Sequence, residues 1–238
     1  MSDGFVAGAR LDGPVTVHDL ARQLPPIADL ANLCRSLAML DAILSPEWEY
    51  RYYSFDVSWA DGEEMASMRN GSGDEYSIVF CAAGAYVRGF DHESPITPYD
   101  RDRDGEPWPG VLDSVPAVFR RFVDEPAFTD EDGTPVVTAC LWREASDDRW
   151  HHGTIDFPSD HPDPDGATML FKLLVDRSPK AFQRFAEDYH EVTVDLEAVR
   201  ALYALRPLDP GIVASLNSEI TLADLAEDIS AIGYPQEG

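Results

Sequence analysis

From residue 27 to residue 44 leucine recurs at three- and four-residue intervals, so that Leu30, Leu33, Leu37, Leu40 and Leu44 fall on one stripe of a helix. Asp29, Asn32, Arg35 and Asp41 interrupt the run at helical spacing, which makes the segment an amphipathic helix and not a membrane span. Pro25-Pro26 precedes it and Ser45-Pro46 stops it. Upstream, Thr16 is placed to cap a short helix through Gln23. The two helices form an N-terminal helical hairpin, and the leucine stripe requires a cover, for which a sheet is the natural partner.

After Trp48 the period changes from helical to alternating. Short segments rich in Tyr, Phe, Val and Trp predict strands over 49–57, 63–69, 75–82 and 85–90. Asp61-Gly62, Asn70-Gly71-Ser72-Gly73 and Ala83-Gly84 supply the turns of a meander. A stretch rich in proline and acid, 94–109, leads to one or two short helices within 111–122, with Pro116 suited to a first turn. Strands over 136–143 and 150–157 follow, and then helices over 167–174, 179–190, 195–204, 210–216 and 222–232. No internal repeat or linker divides the chain. The expected fold class is α+β: an antiparallel sheet of about six strands, with the N-terminal helical hairpin and a C-terminal helical cluster packed on one side of it. The expected organisation is a single domain over 1–238, helical at 16–45, strand-rich at 48–157 and helical again at 167–232.

Charge changes this picture most. The chain carries 44 Asp and Glu against 18 Lys and Arg, a formal net charge of -26, and its only lysines are Lys172 and Lys180. Such a field repels phosphate backbones and anionic membranes and attracts basic proteins. A solvation device for a salt-adapted or high-GC host accounts for the same acidity. Residues 1–15 carry Asp3 and Asp12 where a secretory signal has positive charge, so a cytoplasmic location is expected. Cys34, Cys81 and Cys140 are odd in number, widely spaced and set among apolar neighbours, which reads as buried thiols in a reducing compartment.

Several segments carry candidate chemistry. Asn70-Gly71-Ser72-Gly73-Asp74 resembles a phosphate loop only until the next residues, where a strand is predicted in place of the helix that phosphate binding needs. A hairpin turn explains it. Asp100, Asp102, Asp104 and Gly105 match the first half of a calcium loop, but Val111 stands where the closing bidentate Glu belongs, and Arg101 and Arg103 sit among the aspartates. His92 and Glu93, joined by a histidine from 151–161 (His151, His152 or His161), would make a two-histidine-plus-carboxylate metal site for a hydrolase. Adjacent His151 and His152 point to opposite sides of a strand and cannot readily share one ion. Nucleophile elbow, zincin helix and Walker loop are absent, and no cofactor is expected.

The stretch from Met68 through Asn70-Gly71-Ser72-Gly73-Asp74 to Phe80, followed by Gly84 to Asp91-His92-Glu93, resembles the central hairpin of SMI1/KNR4-type immunity proteins. The resemblance covers about 25 residues of the chain. It implies a cytoplasmic protein that binds one cognate toxin, often a basic nuclease, by surface complementarity. The leading expectation is therefore an acidic binding protein for a basic protein partner, with no nucleic acid and no membrane. Asp91, His92, Glu93, Asp100, Asp102, Asp104 and Glu106 would form its acidic face, with Trp108 as an aromatic anchor or as cover for the sheet beside Pro107 and Pro109. A metal-assisted hydrolase and an acidic housekeeping protein are the alternatives.

Overall fold

The computed structural model describes residues 16–100, 105–158 and 161–236. Two helices come first, α1 (Val17–Gln23) and α2 (Ile27–Leu44). A meander follows: β1 (Tyr53–Ala60), β2 (Glu63–Arg69), β3 (Glu75–Cys81) and β4 (Gly84–Phe90). A long excursion with the single-turn helix α3 (Arg120–Val123) leads to β5 (Ala139–Glu144) and the two-residue β6 (His151–His152). Six helices complete the described chain: α4 (Ala167–Leu170), α5 (Lys172–Val175), α6 (Pro179–Tyr189), α7 (Leu196–Tyr203), α8 (Pro210–Leu216) and α9 (Ala226–Ile232). The strands form one six-stranded antiparallel sheet in sequence order, β1-β2-β3-β4-β5-β6, so the α+β expectation holds.

Alternation sorts the sheet residues into two faces. The register aligns Phe55 with Ala66, Ala66 with Ile78, Ile78 with Val87 and Val87 with Leu141, all of them buried on one face. Helix α2 covers this face at β1 and β2, while α1 packs over β5 and β6. The opposite face is covered by the excursion between β4 and β5, where Tyr86, Phe119 and Phe122 form an aromatic cluster with ring centroids 5.6 to 6.4 Å apart. Arg88, also on this face, is 3% exposed at its side chain, pairs with Glu75 and donates to the Val136 carbonyl.

Helix α2 is more central than an amphipathic pattern implies. Leu30, Leu37 and Leu40 are at most 1% exposed, but Ala38, Met39, Ala42 and Ile43 are buried as well. The sheet covers one side of α2, and α7, α8 and α9 cover the others. Asp41, expected on a solvated side, is fully buried. Its carboxylate accepts hydrogen bonds from the backbone N–H groups of Tyr52 and Tyr53, at 2.5 and 2.9 Å. These bonds explain why the first strand starts late: Trp48–Tyr50 forms a 3-10 turn, and extended pairing starts only at Tyr53.

The last strand is shorter than the predicted 150–157. A Cβ on Gly153 would lie 1.7 Å from the Gly110 carbonyl oxygen, so the excursion crosses the chain there at backbone contact and ends the ladder after His152. The helix predicted over 222–232 begins at Ala226, because Thr221 and Asp224 form a local turn first, with Asp224 accepting from the Thr221 N–H at 2.8 Å. No helix among the described residues is long and apolar enough to cross a membrane.

Candidate functional site

The turn between β2 and β3 is the predicted hairpin, with Gly71 and Gly73 at φ 76° and 109°. Asn70 organises it: its Oδ1 accepts from the N–H groups of Ser72 and Asp74 at 2.8 and 3.1 Å, and its Nδ2 donates to Asp74 Oδ2 at 2.5 Å. Asp74 then reaches the segment after β4. Its Oδ1 accepts from the backbone N–H of His92 at 3.0 Å and lies 2.7 Å from His92 Nδ1. The two short motifs of the sequence, Asn70 to Asp74 and Asp91 to Glu93, are thus one latched unit at the end of the sheet.

Electrostatics follow from this contact. Burial opposes ionisation of Asp74, but hydrogen bonds from the His92 side chain and backbone and from Asn70 outweigh it and hold the carboxyl below its ordinary value. The same hydrogen bond raises His92 above its ordinary value. Asp91 moves upward, first through burial and then through repulsion from Asp74 and Asp163. Asp163 comes from the loop before α4, which is fixed here where Ser94 Oγ donates to the Pro164 carbonyl at 2.6 Å.

Asp74, Asp91 and His92 offer ligand atoms within 4.8 Å of one another. Of the set expected for metal-assisted hydrolysis, this group contains His92 but neither Glu93 nor a second histidine. The register explains the separation. His152 pairs with Leu141 and Leu141 with Val87, which places β6 about 10 Å across the sheet from the strand that leads to His92, at two spacings of about 4.8 Å. His92 lies further along still, beyond the end of β4. His161 is exposed in the loop before α4 and accepts from the Asp163 N–H at 3.3 Å.

Beyond Glu93 the chain runs along an acidic rim. Phe90 packs edge-on to Tyr99, with centroids 5.8 Å apart, and the Tyr99 hydroxyl donates to Asp130 Oδ2 at 3.2 Å. That bond joins the 91–108 segment to the 124–135 segment. In the latter, Asp130 Oδ1 accepts from the N–H groups of Asp132 and Thr134, a turn that leaves Glu131 and Asp132 exposed. Glu93, Asp100 and Glu106 are exposed on the first segment. Asp102 and Asp104, with Arg101 and Arg103, lie outside the described residues.

Trp108 does not stand out as an exposed anchor. It is half-buried against the core, and its indole Nε1 donates to the Asp156 carbonyl at 3.1 Å. The exposed aromatic of the rim is Tyr99, at 52%. Sequence reasoning missed it because exposure of one Tyr in a proline-rich segment leaves no periodic signal.

The remaining candidates separate. Burial pushes the Cys34 and Cys140 thiols up to about 12, so neither is a nucleophile at neutral pH, while Cys81 is half-buried at the end of β3. His151 and His152 line a cavity of about 640 Å³ together with His18 of α1, a histidine that the sequence pattern did not single out. Comparison with known protein families, with curated proteins and with solved structures finds no match to this chain.

Proposed function

We propose that the protein is a binding protein that receives a basic protein partner on the acidic rim at the end of the sheet, in the manner of an immunity protein that neutralises a basic toxin. The observation that carries this reading is the Tyr99–Asp130 contact. It joins two chain segments that expose Glu93, Asp100 and Glu106 on one side and Glu131 and Asp132 on the other, with Tyr99 exposed at the junction. Exposed carboxylates on adjoining segments attract a cationic surface and accelerate encounter, and an exposed tyrosine where the segments meet adds contact area at low entropic cost. Among the described residues, Arg88 of β4 is buried and paired with Glu75. A toxin-neutralising role also agrees with the resemblance carried by Asn70 to Asp74 and Asp91 to Glu93, whose residues form the latch at one end of the rim.

The test separates a local surface from overall acidity. One variant removes three rim charges, Glu93→Gln, Glu131→Gln and Asp132→Asn; a control removes three exposed charges elsewhere, Glu49→Gln, Glu219→Gln and Glu227→Gln. Association with an immobilised basic nuclease, encoded beside this protein's gene where one is present, is followed as salt is raised. The rim variant should bind at least about tenfold more weakly than the control, with a shallower salt dependence. Equal losses in both variants would assign the acidity to solvation and sink the proposal.

A further inference from the structure

In a chain with 44 acidic and 18 basic residues, one cavity has the opposite balance. It opens between α1 and the β5–β6 end of the sheet and is lined by His18, Arg22, Arg143, Arg149, His151 and His152. Asp148 is the one carboxylate among its lining residues, against three guanidinium groups and three imidazoles. Leu24, Pro26 and Trp150 provide an apolar wall, with the buried Trp150 fixed by its Nε1–H donating to the Pro25 carbonyl at 2.8 Å.

The cations differ in how far neighbours already satisfy them. Arg22 is paired with Asp19 at 2.5 Å. Arg143 donates from Nε and Nη2 to the Asp147 backbone carbonyl, at 3.1 and 3.0 Å, which orients the guanidinium and leaves its charge uncompensated by that oxygen. Arg149 is exposed and has no hydrogen-bond or ion-pair partner among the described residues. His151 Nε2 lies 3.2 Å from Asp147 Oδ2. The rings of His18 and His152 lie 4.4 Å apart, and His18 Nε2 is buried with no hydrogen-bond partner. Burial, then the neighbouring His152, lowers the His18 pKa and favours the neutral ring.

Arg143 and Arg149 line the same cavity as the buried, unpartnered His18 Nε2, and the two guanidinium groups offer donors that an anion would complete. We infer that this cavity binds a small organic phosphate monoester, with its dianionic group held by Arg143 and Arg149 beside the His18–His152 pair and its organic part against Leu24, Pro26 and Trp150. A phosphate has enough oxygens to meet several donors at once, and guanidinium groups match it in a bidentate manner. The cavity lies within the range of about 300–1,000 Å³ usual for small-molecule sites. This inference is independent of the acidic rim, since the lining residues belong to α1, the connection from α1 to α2, β5, β6 and the turn between those strands.

Phenyl phosphate is a direct probe, because it joins a dianion to an apolar ring; inorganic phosphate, benzoate and phenol separate the contributions. Calorimetric titration of the full chain should show saturable binding of phenyl phosphate with Kd below about 1 mM, and weaker binding of benzoate and phenol. Imidazole resonances of His18, His151 and His152 should shift during the titration, while that of His92 stays in place. Arg149→Ala removes an exposed side chain without a structural partner and should weaken binding by at least about tenfold, whereas Arg184→Ala, far along the chain on α6, should leave it unchanged. Absence of saturable binding up to about 10 mM phenyl phosphate, or wild-type affinity in Arg149→Ala, would overturn the assignment. Benzoate binding as tightly as phenyl phosphate would overturn the choice of a phosphate dianion.

Discussion

Asp41 of α2 and His190, at the end of α6, are 149 residues apart in sequence, yet Asp41 Oδ1 lies 3.2 Å from His190 Nε2. The other oxygen of the same carboxylate holds the Tyr52 and Tyr53 N–H groups, so one buried side chain sets the start of β1 and fastens the C-terminal helices to α2. Asp41→Ala would leave the buried Tyr53 N–H and the part-buried Tyr52 N–H without acceptors, at a cost of about 1–3 kcal/mol for the first and less for the second. The variant is expected to lose about 2–5 kcal/mol in urea denaturation, and His190→Ala only about 1 kcal/mol, because its imidazole contributes a single contact at the edge of the network. Equal, small losses would show that the carboxylate does not carry the strand.

The latch between Asp74 and His92 predicts a pH dependence with a definite sign. His92 is raised above 6.5 in the fold, so its contribution is complete below 6.5 and is lost as pH rises through the folded value. Asp74 is lowered below 3.8, so its contribution is complete above 3.8 and is lost as pH falls through the folded value. The latch is therefore strongest between these two ordinary values. An NMR titration of the His92 ring should give a midpoint above 6.5, and Asp74→Asn should bring it back towards 6.5; an unchanged midpoint in the variant would remove Asp74 as the cause.

Asp165 behaves in the opposite sense. It is fully buried just before α4, and its two oxygens accept from the N–H of Val17 at 2.8 Å and of Ala167 at 3.1 Å, the first residues of α1 and α4. Burial is the larger influence and pushes its pKa up to about 7, although the two N–H donors pull downward. A carboxyl raised in the fold contributes stability that is complete below 3.8 and is lost as pH rises through about 7. Urea midpoints at pH 5 and pH 8 should therefore differ less in Asp165→Ala than in the wild type, while the variant loses about 2–4 kcal/mol at pH 5 from the two missing caps. A wild-type pH slope in the variant would contradict this account.

Much of the fold was legible along the chain. Strand β2 and helix α8 occupy the predicted 63–69 and 210–216, because alternation, helical spacing and the flanking turn residues are encoded within a few positions. The hairpin at Asn70 was legible for the same reason, as was the burial of Cys34 and Cys140. The late start of β1 and the early end of β6 were not legible, since Asp41 and Gly110 act on those strands from distant positions. The metal set of His92, Glu93 and a histidine from 151–161 grouped residues by type; the sheet places His151 and His152 at its far edge.

The sequence by itself determined the α+β class, the strand order of the meander and the excess of negative charge, because each depends on local pattern or on a sum over residues. Tertiary structure alone decided which distant residues meet and which basic side chains line one cavity. Packing of loops and of α1 around the sheet brings Tyr99 to Asp130, Asp74 to His92 and His18 to His152. Contacts between residues so far apart in sequence leave no periodic trace along the chain.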